Sequence, residues 1–151
     1  GAHDNFDPKI SHVIPALILK FAKAKEQNLP SVEIWGTGNA SREFLHSHDC
    51  ARAINLAIEK DTDPLPINIG TGQEITIKQL ANLISAKMGY EGVVYFNEDY
   101  PDGQPRRCLN ISRAREILDF EPEISLEYGI QETVKWFEEN KEQFVDYFSN
   151  I

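Results

Sequence analysis

Positive charge is scarce in this chain, cysteine is scarcer, and no long apolar run occurs. Lys and Arg number 15 against 24 Asp and Glu, giving a net charge of −9 and a pI of about 4.9. A phosphate backbone attracts Lys and Arg, so this balance argues against nucleic acid as a partner. Any anionic ligand has to be held by a few local cations against the overall field. There are 2 cysteines, Cys50 and Cys108, far apart in sequence. No disulfide framework is implied, and a reducing, cytoplasmic setting is expected. No stretch is apolar for long enough to span a bilayer, so no membrane partner is expected.

What is present is an ordinary globular composition. Of the 151 residues, 41% are apolar and 26% charged, enough for one core of normal size. The pattern predicts a helix from His12 to Gln27, with Val13, Leu17, Phe21 and Ala24 at helical spacing, Pro15 in the first turn and Ser11 as cap. Val32 to Trp35 alternates like a strand, Gly36 to Ser41 reads as a turn, and Arg42 to His46 alternates again. The two segments are expected to form a hairpin or two linked short strands. A second helix is expected from Asp49 to Lys60, capped by Ser47 or Asp49. Its stripe would be Ala51, Ile54, Leu56, Ala57 and Ile58.

Asp61 to Pro66 reads as a polar loop and Ile67 to Gly70 as a short strand. Thr76-Ile77-Lys78-Gln79 is a capping box that opens a helix to about Met88. Val93 to Phe96 reads as a strand, Asn97 to Arg107 as a loop that turns extended at Arg107 to Leu109, Ser112 to Leu118 as a short helix and Ser125 to Phe144 as a long one. The fold class is α/β, with mixed helices and short strands.

The segment Arg42-Glu43-Phe44-Leu45-His46-Ser47-His48-Asp49-Cys50 is rich in metal-ligating side chains. A zinc site needs three or four ligands converging from defined positions. Here Ser47 and Asp49 read as a helix start, which turns His48 out of line with His46 and gives Asp49 to backbone N–H groups. No metal is expected. Neither Gly36-Thr37-Gly38 nor Gly70-Thr71-Gly72 has the third glycine that a dinucleotide fingerprint requires at the opening of a helix.

Other residues are better candidates for binding an anion. Trp35 and Arg42 flank the glycine turn, and an indole with a guanidinium suits a flat, negatively charged ligand such as a nucleotide. His12 stands at a helix start, with Lys20 eight residues on and roughly 80° around the helix. Histidine can give or take a proton near neutral pH, and a lysine can hold an anion. Pro101-Asp102-Gly103-Gln104-Pro105-Arg106-Arg107 is a stiff loop ending in two arginines, a candidate diphosphate clamp.

Several of these pieces occur together in one order. They are Asp4-Asn5-Phe6-Asp7-Pro8, Ser11-His12-Val13-Ile14-Pro15-Ala16-Leu17, Ile34-Trp35-Gly36-Thr37-Gly38 and Arg42-Glu43-Phe44-Leu45-His46. Then come Ile67-Asn68-Ile69-Gly70-Thr71-Gly72, Thr76-Ile77 and Pro101-Asp102-Gly103-Gln104-Pro105-Arg106. Over nearly its whole length the chain resembles the C-terminal half of the GDP-L-fucose synthase branch of the extended short-chain dehydrogenase/reductase family. That family comprises NAD(P)-dependent sugar-nucleotide epimerases and reductases.

The resemblance implies the substrate-binding C-terminal portion of an extended Rossmann-type enzyme over residues 1 to 151. The N-terminal Rossmann half, which binds NADP or NAD, would be a partner missing from this chain. The reaction implied is 3,5-epimerisation of GDP-4-keto-6-deoxy-mannose followed by hydride reduction at C4. His12 matches the histidine that acts as acid and lies near the nicotinamide, a catalytic and cofactor-binding position. Lys20, Trp35, Arg42, Asp102 and Arg106 match positions that bind the nucleotide-sugar substrate. The parent protein could form a homodimer. Cys50 and Cys108 do not match the cysteine that the family uses as partner base, and Tyr100 stands where close members carry Lys. The expectation is half an enzyme, with no reductase activity alone.

Overall fold

A computed structural model describes residues 1–60 and 63–150. The polar loop expected from Asp61 thus lies partly outside the described residues, at Asp61 and Thr62. The elements run in the order α1 Val13–Glu26, β1 Ser31–Trp35, β2 Ser41–Arg42, α2 Ser47–Glu59, β3 Ile75–Thr76 and α3 Ile77–Lys87. They continue with β4 Val93–Asn97, β5 Arg106–Arg107, α4 Ser112–Leu118, α5 Leu126–Asn140 and 3₁₀ turns over Lys141–Asn150. This is a mixed α/β architecture, as expected from the sequence.

The strands form two small sheets. β1 pairs with β4 in parallel, Ser31 opposite Val93 through Trp35 opposite Asn97. In the second sheet β2 is central, antiparallel to β3 and parallel to β5. The expected hairpin between β1 and β2 is therefore overturned, because each strand has a partner from elsewhere in the chain. The turn between them explains why. Gly36 and Gly38 take φ of 83° and 75°, the left-handed region open to glycine. They carry the chain out of one sheet and into the other. An added Cβ at Gly38 would lie 2.5 Å from the Phe96 ring, so the turn packs directly on β4.

The larger core is built from Phe6, the inner face of α1 (Leu17, Ile18, Phe21), α3 (Leu80, Ile84) and α5 (Ile130, Val134, Phe137). The smaller core joins Ala53 of α2 to Ile111, Ala114, Leu118 and Phe120, with Ile67 and Ile69 packed against it. Ile67 to Gly70 forms no strand. Ile67 and Ile69 pack on the smaller core, but no described strand pairs with the segment.

Three local expectations are corrected. His12, not Ser11, occupies the cap position of α1, with no side-chain cap bond. The cap of α2 is His46, whose Nδ1 accepts from the His48 N–H at 3.3 Å, so the helix starts two residues earlier than Asp49. Of the apolar residues of α2, Ala53, Leu56 and Ala57 face inward, whereas Ile54 and Ile58 remain 54% and 77% exposed. The capping box of α3 forms as expected, with Thr76 and Gln79 exchanging side-chain and backbone bonds. α4 spans the expected residues, whereas the last long helix changes to 3₁₀ turns after Asn140.

Candidate functional site

Two connections run side by side because their flanking strands are paired in parallel. Gly36–Ala40 joins β1 to β2, and the segment 98–105 joins β4 to β5. The second connection is fastened to the first along its length. At its start, Asn97 Nδ2 donates to Glu33 Oε1 at 3.1 Å, and the Asp99 N–H donates to Asn97 Oδ1 at 3.0 Å. In the middle, both Asp102 oxygens accept from Thr37, from its N–H at 2.9 Å and its hydroxyl at 2.5 Å. At its end, Arg42 Nη1 donates to the Gln104 carbonyl at 2.7 Å and the Ser41 N–H donates to the Pro105 carbonyl at 2.9 Å.

This arrangement gathers several of the expected residues. Lys20 Nζ donates to the Glu33 carbonyl at 3.0 Å and lies 5.2 Å from the centre of the Trp35 ring. Burial lowers the Lys20 pKa, with Glu33 opposing that shift. Trp35 remains 61% exposed, and the Tyr100 ring stacks on it at 4.6 Å with 11° between the planes. Asp102 sits on the same loop as Tyr100, and Arg42 reaches that loop from β2. Asp102 is occupied as a tie, since both its oxygens are taken by Thr37.

The two arginines of the loop part company. Successive residues of a strand point to opposite faces. Arg106 lies opposite Ser41, and its guanidinium joins Glu74, with Nε donating to Oε1 at 2.8 Å, while the Ser41 hydroxyl donates to Glu74 at 2.7 Å. That pairing holds the Glu74 carboxyl below its usual range. Arg107 lies opposite Arg42 in the register, on the other face. Neither Arg42 nor Arg107 makes an ion pair among the described residues. The cationic pair is thus Arg42 with Arg107, not Arg106 with Arg107. Sequence adjacency pointed to the latter, and only the strand register shows the former.

His12 is exposed at the start of α1, about 12 Å of helix rise from Lys20. No hydrogen bond or ring contact brings it to Trp35, Tyr100 or Arg42 among the described residues.

The histidine-rich segment does something else. His46 is a cap and stands against His48, ring centres 5.0 Å apart. Asp49, 2% exposed, accepts from the N–H groups of Glu123 and Ile124, at 3.1 and 2.9 Å, and from Arg52 at 3.1 Å. Burial pushes its carboxyl up, but those bonds outweigh burial and pull it below the usual value. Asp49 therefore staples the start of α2 to the segment before α5. The sequence suggested that it would cap the backbone N–H groups of its own first turn, and the backbone groups it accepts from are instead those of Glu123 and Ile124. Among the described residues no three His, Cys, Asp or Glu side chains are grouped to hold a metal. No described helix is long and apolar enough to cross a membrane.

Against known proteins, the NAD dependent epimerase/dehydratase family matches residues 1–70. The GDP-L-fucose synthase of Escherichia coli K12 is 46% identical over 153 residues, covering 95% of this chain and 47% of that protein. A GDP-L-fucose synthetase from Naegleria fowleri, solved bound to NADP, superposes with a TM-score of 0.87 at 30% identity, over 94% of this chain and 44% of its own. The UDP-glucose 4-epimerase of Thermotoga maritima, solved with UDP-glucose, gives 0.79 at 28% identity, over 93% and 43%. The chain spans about half the length of the curated relatives it matches. In sequence and in fold it matches one part of the proteins of the NAD dependent epimerase/dehydratase family, GDP-L-fucose synthases among them.

Proposed function

We propose that this chain is the nucleotide-sugar-binding part of an NAD(P)-dependent sugar-nucleotide epimerase/reductase of the GDP-L-fucose synthase type. The activity of the whole would be 3,5-epimerisation and C4 reduction of GDP-4-keto-6-deoxy-mannose. The observation that carries the reading is the convergence of Lys20, Trp35 and Arg42 on one fastened loop, with Arg107 opposite Arg42. An aromatic surface beside unpaired guanidiniums suits a base and a diphosphate. Asp102 contributes by holding the loop to Thr37. Arg106, already bound to Glu74, contributes to the sheet.

The dinucleotide is a different matter. Both glycine turns are filled by the chain's own side chains. The Asp102 carboxylate sits 2.3 Å from where a Cβ of Gly36 would be, and Glu43 accepts from the N–H groups of Thr71 and Gly72 at 3.0 and 2.8 Å. The N–H groups of both turns thus serve carboxylates of the chain itself, which argues against a dinucleotide pyrophosphate there. Binding of NADP or NAD falls in this reading to a Rossmann part outside this chain. The exposed Ile54 and Ile58 of α2 are available to pack against it. His12, exposed and without a side-chain cap bond, can supply the proton that epimerisation beside a ketone requires on one face.

The fold similarity to a UDP-glucose 4-epimerase favours one second reading, a UDP-sugar 4-epimerase part. An amide NMR titration of the chain with GDP, UDP and ADP separates the two. Shifts around Trp35 and Arg42 with GDP alone, lost in Arg42→Ala, are expected. Equal or stronger shifts with UDP would favour the second reading, and no shifts with any of the three would overturn both.

A further inference from the structure

We infer that Tyr100 is the ring on which the nucleobase stacks, with Trp35 as its backing. This rests on the nucleotide-sugar reading and assigns a further base-binding residue within it. The two rings are nearly parallel, 4.6 Å apart, in the geometry of stacked aromatics. One face of Tyr100 is taken by the indole, yet the residue is 41% exposed, so its outer face and edge are open. Two large, stacked, solvent-facing rings form a sequence-tolerant surface for a base.

The ring is also held in place before any ligand arrives. The Tyr100 N–H donates to the Asn97 carbonyl at 3.3 Å, Pro101 follows with its restricted φ, and Asp102 is tied twice to Thr37. A tie on each side leaves the loop little freedom at residue 100, so stacking would cost little ordering entropy. Beyond Asp102 the same loop reaches Arg42 through the Gln104 carbonyl. A base on Tyr100 and phosphates at Arg42 and Arg107 would therefore follow one continuous edge.

The test titrates the chain calorimetrically with GDP, guanosine and inorganic pyrophosphate, in the native sequence and in Tyr100→Ala, Tyr100→Phe and Trp35→Ala. The expected result is a loss of about tenfold in affinity for GDP and guanosine in Tyr100→Ala, with pyrophosphate binding unchanged. Retained pyrophosphate binding also shows that the variant is folded. Tyr100→Phe should match the native chain, since the ring and not the hydroxyl does the stacking. GDP affinity unchanged or raised in Tyr100→Ala, while Trp35→Ala loses it, would overturn the inference and leave the reading of the site intact. A native chain that binds GDP no better than pyrophosphate, or binds neither, would overturn the nucleotide reading and the inference with it.

Discussion

Charge is handled in opposite ways at two places in this chain. Where α2 meets the segment before α5, every charge is answered. Asp49 is enclosed by two backbone N–H groups and Arg52, and Arg52 also reaches Glu123. Where β2 meets β5, Arg42 and Arg107 are register partners and neither makes an ion pair among the described residues, although acidic side chains outnumber basic ones 24 to 15. The closed region behaves as structure. The open one is the surface proposed to bind an anion, because like charges on neighbouring strands repel unless an anion joins them.

That comparison can be broken most forcefully at the closed end. Asp49→Ala leaves two buried N–H groups and a guanidinium without their acceptor, and should cost about 2–4 kcal/mol of stability in urea unfolding. Affinity of the folded fraction for GDP should not change. Acid unfolding adds a sign. The folded carboxyl titrates below the ordinary 3.8, so its stabilisation is complete above that pH and is lost as pH falls through 3.8 and lower. Asp49→Asn should flatten that part of the stability curve.

At the open end the order reverses. Arg42→Ala should weaken GDP binding about 10- to 100-fold by calorimetry, the scale of a charge-assisted bond, while shifting stability far less than Asp49→Ala does. A smaller effect, about 3- to 10-fold, is expected for the exposed Arg107→Ala, together with a shallower dependence of GDP affinity on salt. If Arg107→Ala binds GDP as the native chain does at low salt, the two arginines do not act as a pair.

The smallest effect belongs to the opposite face of the same strands. Glu74→Gln breaks an exposed pair with Arg106 and should change stability by less than about 1 kcal/mol, with GDP affinity unchanged. A clear loss of affinity there would mean the two faces of the sheet are not independent.

What the sequence disclosed, and what it hid, follows the distance over which each signal acts. Thr76 and Gln79 are three residues apart and cap α3 by themselves. The α4 boundaries at Ser112 and Leu118 and the body of α1 are equally local. Strand pairing is not. Trp35 and Arg42 do flank one turn, but the partners that organise them, Asn97 and Arg107, come from far along the chain, and no hairpin exists. The same limit explains Arg106. Adjacent in sequence to Arg107, it is separated from it by the pleat of a two-residue strand too short to show alternation. On α2 the apolar spacing suggests a stripe that includes Ile54 and Ile58, yet both face outward. Lys20 stands beside the Trp35 ring, a neighbourhood to which the sequence points only through resemblance.

Parallel pairing has a consequence in time. Parallel neighbours cannot be joined by a tight turn, and here Ser31 waits for Val93 and Arg42 for Arg107. Each pairing closes a long loop and pays its entropy before any contact is gained, which slows folding relative to local helices. The helices can form early, α3 behind its own cap. The aromatic stack needs the chain to have passed Tyr100, the cationic face needs Arg107, and both need the chain to return and meet itself. The surface proposed to bind the nucleotide is thus made by late, long-range closure and not by any local element.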